Sequence, residues 1–145
     1  MSLLSSLSVS ASGMSAQRVR AELLVENIAN AETTRTADGG PYRRKDVVFQ
    51  SQAMESPFAG MLSDRMNESS VGVTVSNILV DQREPDKRYL PGHPDAGPDG
   101  YVAFPKLNPA EEMVDLMSSS RSYQANVAAM TSVKEMLQRS IDLLK

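Results

Sequence analysis

The chain has 145 residues but no cysteine, no tryptophan and a single histidine. Without thiols there is no disulfide scaffold, no thiol nucleophile and no cysteine-ligated metal. Compartment is left open, because a thiol-free chain is safe in reducing and oxidising spaces alike. Only 41% of residues are hydrophobic and 5% aromatic. The length suits one ordinary domain, yet any compact core would be thin in large side chains. A net charge of −3 gives no electrostatic reason to expect a nucleic-acid partner. No stretch reaches the roughly 18 consecutive apolar residues of a membrane span, so no direct membrane insertion is expected. The N-terminal MSLLSSLSVSASGM has small residues near Ala11 and Gly13, but the first basic side chain is Arg18. A basic n-region is missing, so a cleaved signal peptide is not expected. Work outside the cytoplasm would need another exit route.

Proline is absent from the first 40 residues, and seven of the eight prolines fall between Pro41 and Pro105. That divides the chain into residues 1–30, 31–108 and 109–145. In the first part, apolar or small residues recur at Leu4, Leu7, Ala11, Met14, Ala21, Val25 and Ile28, with Arg18 in the missing slot. Alternating steps of three and four predict a heptad helix. Gly13 and many serines weaken its intrinsic helicity, so the period carries the reading.

The last part carries a stronger signal. Asn108 is a good N-cap, Pro109 suits the first helical position, and Glu111 stands where a capping-box glutamate would. Glu111, Glu112 and Asp115 are placed to meet the positive end of the helix dipole. Met113, Leu116, Ser120, Tyr123, Val127, Met130, Lys134, Leu137, Ile141 and Leu144 then follow in three-four spacing. A continuous helix of this length would run about 54 Å at ~1.5 Å per residue, too long for a compact domain of this size.

In the middle, helical periodicity vanishes. VGVTVSNILV (71–80) alternates and is β-branched, which predicts a strand, and KDVVFQ (45–50) and GYVAF (100–104) are shorter candidates. PGHPDAGPDG (91–100) is a turn-rich connection. Residues 51–70 have no clear period and read as mobile. The fold class is therefore mainly α with a small β insert. N- and C-terminal heptad helices form an antiparallel coiled-coil layer, and the middle segment has four or so short strands.

Such a hairpin is weak alone. Fully burying a large apolar side chain contributes about 1.5–3 kcal/mol, whereas ordering a residue costs ~1–2 kcal/mol. Stripes rich in alanine, serine and methionine hardly offset the ordering of both helices. Val114, Met117, Val133, Met136 and Leu143 line neighbouring faces, as in helices with more than one neighbour. Assembly is expected, with termini poorly ordered in the monomer and ordered in a polymer.

No catalytic constellation is visible. His93 with Asp86, Asp95 and Asp99 could be drawn as a metal site, but a lone turn histidine between prolines is a weak signal. DAGPDGYVAFPK fails as a calcium loop, because Gly97 takes the third place and Lys106 the twelfth, where a bidentate glutamate is required. ASGMSA lacks the glycine frame of a nucleophile elbow. YRRKD (42–46) is too short a basic run for nucleic acid and reads as a solvated or interface-facing strand end. No cofactor is expected.

Two stretches carry a resemblance. SASGMSAQRVRAELLVENIANAETTRTADGGPYRRKDVVFQ (10–50) resembles the N-terminal signature of the bacterial flagellar rod and hook axial proteins, in particular those of the proximal rod. PGHPDAGPDGYVAFPKLNPAEEMVDLMSSSRSYQANVAAM (91–130) resembles their second signature, in which Gly100-Tyr101-Val102 leads through a proline into the C-terminal helix. This chain has Thr33-Thr34-Arg35 where many relatives continue Thr-Pro-Gly-Tyr, and Lys106-Leu107 where an Asn-Val pair is common. The resemblance covers nearly the whole chain, least clearly 51–70.

The resemblance implies a structural axial subunit rather than an enzyme, exported unfolded through the flagellar type III apparatus and assembled in the periplasm. Its terminal segments would form the inner coiled-coil layer of a helical, torque-transmitting tube. Implied partners are other copies of itself and rod proteins of the FlgB, FlgF, FlgG and FliE types. The expected assembly interface is Leu4, Leu7, Met14, Val25, Asn27, Ile28, Asn30, Met113, Leu116, Tyr123, Asn126, Val127, Met130, Leu137, Ile141 and Leu144. Asn27 and Asn30 lie on one helix face at i, i+3. They are expected to offer amides to adjacent subunits, with Asn126 as a polar counterpart, while Asn30 also ends the helix, since Asn tolerates the left-handed conformation. A soluble coiled-coil adaptor or regulator is the alternative.

Overall fold

The computed structural model describes residues 3–37, 39–53 and 71–143. Its elements are α1 (Leu3–Ala29), β1 (Lys45–Ala53), β2 (Val71–Val80), β3 (Asp86–Tyr89), β4 (Tyr101–Phe104) and α2 (Pro109–Asp142). Residues 51–53 complete β1, while the expectation of mobility for the rest of 51–70 lies outside the described residues.

Two serines of α1 bond back to their own helix. Ser8 and Ser12 donate to the carbonyls of Ser5 and Val9, which leaves the Ser12 oxygen free to accept from outside the helix. The helix stops at NIAN by side-chain bonding. Asn30 Nδ2 donates back to Glu26 O, and Thr33 donates to Asn30 through both its N–H and its hydroxyl. Among the described residues no non-glycine has a positive φ, so the stop does not use a left-handed asparagine. At the other helix, Asn108 accepts from Ala110 N and Pro109 follows, as the cap signals predict.

α1 and α2 lie antiparallel. Asn27 meets Glu112, Arg20 meets Asp115, Gln17 meets Ser119, and Gly13 faces Asn126. Descending numbers in one helix match ascending numbers in the other. At ~1.5 Å per residue, the 34 residues of α2 span about 51 Å.

β1 and β2 form an antiparallel ribbon in which Lys45 pairs Val80 and Ala53 pairs Val71. The register slips between Val48 and Phe49, where Ser76 is the extra residue and donates to Val48 O. The ribbon lies along α1, since Lys45 bonds Asn27 at one end and Val73 N donates to Ser12 Oγ nearer the other. The lengths agree. From residue 45 to 51, opposite Val73, a strand at ~3.3 Å per residue covers about 20 Å, and from 27 back to 12 a helix at ~1.5 Å per residue covers about 22 Å.

β3 and β4 form a second two-stranded sheet, pairing Asp86 with Phe104 and Tyr89 with Tyr101. The intervening turn closes at Gly100, whose φ of +73° favours glycine. Asp95 in this turn accepts from Thr34 and pairs with Arg35, which ties the second sheet to the loop leaving α1. Among the described residues the buried apolar side chains are few: Ala16, Leu24, Tyr42, Val102, Phe104 and Val133.

Candidate assembly site

The most tightly organised place in the chain is the junction of α1, α2 and the start of β1. Loop 31–44 turns back through Gly39 and Gly40, both at positive φ, and Tyr42 N donates to Thr33 O. This return delivers Tyr42, Arg44 and Lys45 to the end of α1. Asn27, 0% exposed, receives Tyr42 and Lys45. Its Nδ2 donates to Lys45 O at 2.8 Å and to Glu112 Oε2 at 2.9 Å. Its Oδ1 accepts from Lys45 N and from the Tyr42 hydroxyl, each at 2.9 Å. Two donors and two acceptor positions are all a carboxamide has, and every one is used.

Glu112, 2% exposed, is the partner from α2. Its second oxygen accepts from Arg44 Nε, and Arg44 also reaches Asp46. A carboxylate this buried would be costly without a charged partner. Burial works to lower the Arg44 pKa, but Glu112 and then Asp46 hold the guanidinium above its ordinary value. Around them Lys45 Nζ pairs with Glu26 and sits over the Tyr42 ring. Burial first, then the carboxylates of Glu26 and Glu112, push the Tyr42 phenol up to about 12.

Two sequence expectations are corrected here. Asn27 does not hold its amide out to neighbouring subunits, because Lys45, Tyr42 and Glu112 of the same chain fill it. Nor is Asn126 its counterpart. Asn126 lies two heptads further along α2, bonded to Ser122 O and packed on Gly13, while Glu112 fills the expected role. Glu112, in the first turn of α2 with Glu111, also accepts from Asn27 of α1, and Asp115 accepts from Arg20 of α1. Asn30 faces its own helix end.

The seam between the helices continues in polar fashion. Ser119, 0% exposed, donates to Gln17 O at 2.9 Å, and Arg20 pairs with Asp115 at 3.2 Å. Glu112, Ser119, Asn126 and Val133 repeat every seven residues, and of these only Val133 is apolar. Of the three-four stripe read in the sequence, Leu116, Met130 and Leu137 lie half-buried beside this seam, while Met113, Ser120, Tyr123, Val127, Lys134 and Ile141 are exposed.

The expected interface residues divide accordingly. Leu7, Met14, Ile28, Asn30, Leu116, Asn126, Met130 and Leu137 are half-buried, and Asn27 is buried. Val25, Met113, Tyr123, Val127 and Ile141 are exposed by 40–57%. Leu144 and the side chain of Leu4 lie outside the described residues. Sequence reasoning missed Tyr42, Arg44, Lys45 and Glu112 as the junction's core. The only signal was the YRRK run itself, placed just after a glycine turn.

The one histidine is used structurally. His93 Nδ1 accepts from Asp95 N at 3.1 Å, and its ring meets Phe104 edge-on. Among the described residues no group of three or more His, Asp or Glu side chains could hold a metal.

Terminal helices locked by a polar junction, with apolar side chains left facing outward, define a structural protein whose work is contact. Residues 99–143 match the family described as flagellar basal body rod FlgEFG protein C-terminal. The flagellar basal-body rod protein FlgC of Bacillus subtilis (strain 168) is 44% identical, with 97% of each chain covered. That of Borreliella burgdorferi is 38% identical over 100% of this chain and 99% of its own, and that of Salmonella typhimurium 36% identical over 99% and 98%. The chain belongs to the flagellar basal-body rod protein FlgC family, a family of structural components of the basal-body rod.

Proposed function

We propose that this chain is a rod subunit that assembles helically through its terminal helices, with copies of itself and with other rod proteins, and so transmits torque. In this reading the helices form a coiled-coil layer of a periplasmic tube, and the subunit reaches it through the flagellar type III apparatus without a cleaved signal peptide. The observation that carries the reading is the unspent apolar surface of α2: Met113, Val114, Met117, Val127, Met136 and Ile141 are each 41–60% exposed. Patches of this kind mark interaction sites in folded proteins.

The test is Val127→Asp, with Leu137→Asp beside it. Val127 is 41% exposed, so the new charge stays solvated in the single chain, but a packed contact between subunits would bury it unpaired, which typically costs several kcal/mol. Export is expected to survive, since it handles an unfolded chain, while mass spectrometry of detergent-washed basal bodies finds the wild-type chain and not the variant. Normal incorporation of Val127→Asp would remove this face from the interface. Lost export with an intact fold would contradict the reading.

A further inference from the structure

We infer that the outer edge of β1 over residues 49–53 pairs antiparallel with the same edge of a second copy of this chain, a contact that does not depend on the rod reading above. In an antiparallel ladder, residues alternate between bonding the partner strand and turning both N–H and C=O outward. The ribbon's side-chain bonds mark which residues turn outward. Lys45 N and O both bond Asn27, and Val73 N donates to Ser12 Oγ. Val47 N and Ile78 N donate to the side chains of Asp46 and Asn77. Alternation along β1 from Lys45 through Val47 then turns Phe49, Ser51 and Ala53 outward as well. The pairing of Ser51 with the outward Val73 agrees with it.

Elsewhere the strand edges are guarded. Asn27, Asp46, Ser12 and Asn77 close the ribbon at Lys45, Val47, Val73 and Ile78, and Gln82 Nε2 lies 3.4 Å from Val80 O. In the second sheet β3 is mostly charged, and Tyr101 O of β4 accepts from Gly97 N. At Phe49, Ser51 and Ala53 no such guard stands among the described residues, and residues 49–53 are all exposed. An open, uncharged edge is a template for another strand, joined by main-chain hydrogen bonds. The sequence FQSQA suits itself as that strand. Turned antiparallel about Ser51, it sets Phe49 against Ala53 and Gln50 against Gln52, with no charge facing a like charge. Such a contact is isologous and closes on two copies. It cannot build a tube, so it belongs to the unassembled chain and opens on incorporation.

Sedimentation of the purified full chain across a concentration series is the test. The wild-type mass is expected to climb from one chain toward two. Ser51→Pro removes an outward N–H and spares the internal ladder, since proline is tolerated where the N–H faces away from the sheet. It is expected to hold the mass at one chain with an unchanged far-UV spectrum. Ser51→Lys keeps the backbone intact and sets two like charges opposite each other, so it should also stay single, and it covers the case in which proline disturbs the strand. A wild-type chain that stays single at every concentration overturns the inference. So does a dimer that persists in Ser51→Lys, or one that only Val127→Asp abolishes, which would be a contact of α2. In each of these cases the rod reading stands, because it is tested in basal bodies and not on the purified chain.

Discussion

The junction at Asn27 and the outer face of α2 are built on opposite principles. At the junction, four hydrogen bonds saturate one buried amide, and a buried carboxylate is matched to a guanidinium. Along the outer face, valine and methionine side chains stand in solvent with nothing to cover them. Polar contacts are directional and set geometry, whereas apolar burial is non-directional and supplies most of the driving force. The chain uses the first to fix how its helices meet the strand ribbon. It leaves much of the second unspent. A subunit that kept its apolar stripe inside would be a steadier monomer with less to offer a neighbour.

The largest test of this contrast sets Asn27→Ala against Met113→Ala. Removing the carboxamide strands Lys45 N and O, the Tyr42 hydroxyl and one Glu112 oxygen in a buried place. Unsatisfied buried groups cost ~1–3 kcal/mol each, and partial relaxation reduces the sum, so a loss of about 2–4 kcal/mol is expected. Met113 is 52% exposed, and its truncation should stay within about 0.5 kcal/mol. Urea unfolding of the purified single chain reads both. Equal effects would erase the distinction between the two regions.

Tyr42 sharpens the comparison through pH. Its folded-state pKa of about 12 lies above the ordinary 10. A raised pKa means the neutral phenol is favoured by the fold. That stability is fully present below pH 10 and lost as pH rises from 10 to 12. Tyr42→Phe leaves Asn27 Oδ1 one bond short and should cost about 1 kcal/mol at neutral pH. It should also flatten the alkaline limb, so the gap between variant and wild type narrows from pH 10 to 12. A gap constant across that range would mean that the phenol does not titrate within the junction.

How much of this was legible depended on which force wrote the signal. Periodicity placed α1 within residues 1–30, and the cap signal identified Asn108, because helix ends leave local marks. Alternating β-branched residues gave β2 in full. β3 went unread, since DKRY has the composition of a loop and becomes a strand only by pairing with β4. The polar half of the seam went unread for a related reason, although Leu116, Met130 and Leu137 of the expected stripe lie beside it. A search for apolar repeats cannot see one made of Glu112, Ser119 and Asn126, each buried because its partner lies on another element. Asn27 drew notice as an oddity, but its partners are 15 to 85 residues away, and no local pattern joins them. That the strands form two short sheets likewise follows from which of them meet in space.

Gly13 offers the smallest and most discriminating effect, because it lies where the polar seam is tightest. An added Cβ would stand 3.2 Å from both terminal atoms of the Asn126 amide. Alanine gains about 0.5–1 kcal/mol over glycine in a helix interior, while the Asn126 amide, anchored on Ser122 O, must give way by a few tenths of an ångström. The two effects oppose each other, so Gly13→Ala should fall within about 0.5 kcal/mol of wild type. With Asn126→Ala already in place the clash is gone, and the same change should stabilise by the full ~0.5–1 kcal/mol. The difference between the two backgrounds isolates the contact itself. An equal gain in both would mean that the helices do not depend on this close approach for their register. The directional contacts between the helices would then be confined to Asn27, Arg20 and Gln17, and the part of α1 before residue 17 would resemble the outer face more than the junction.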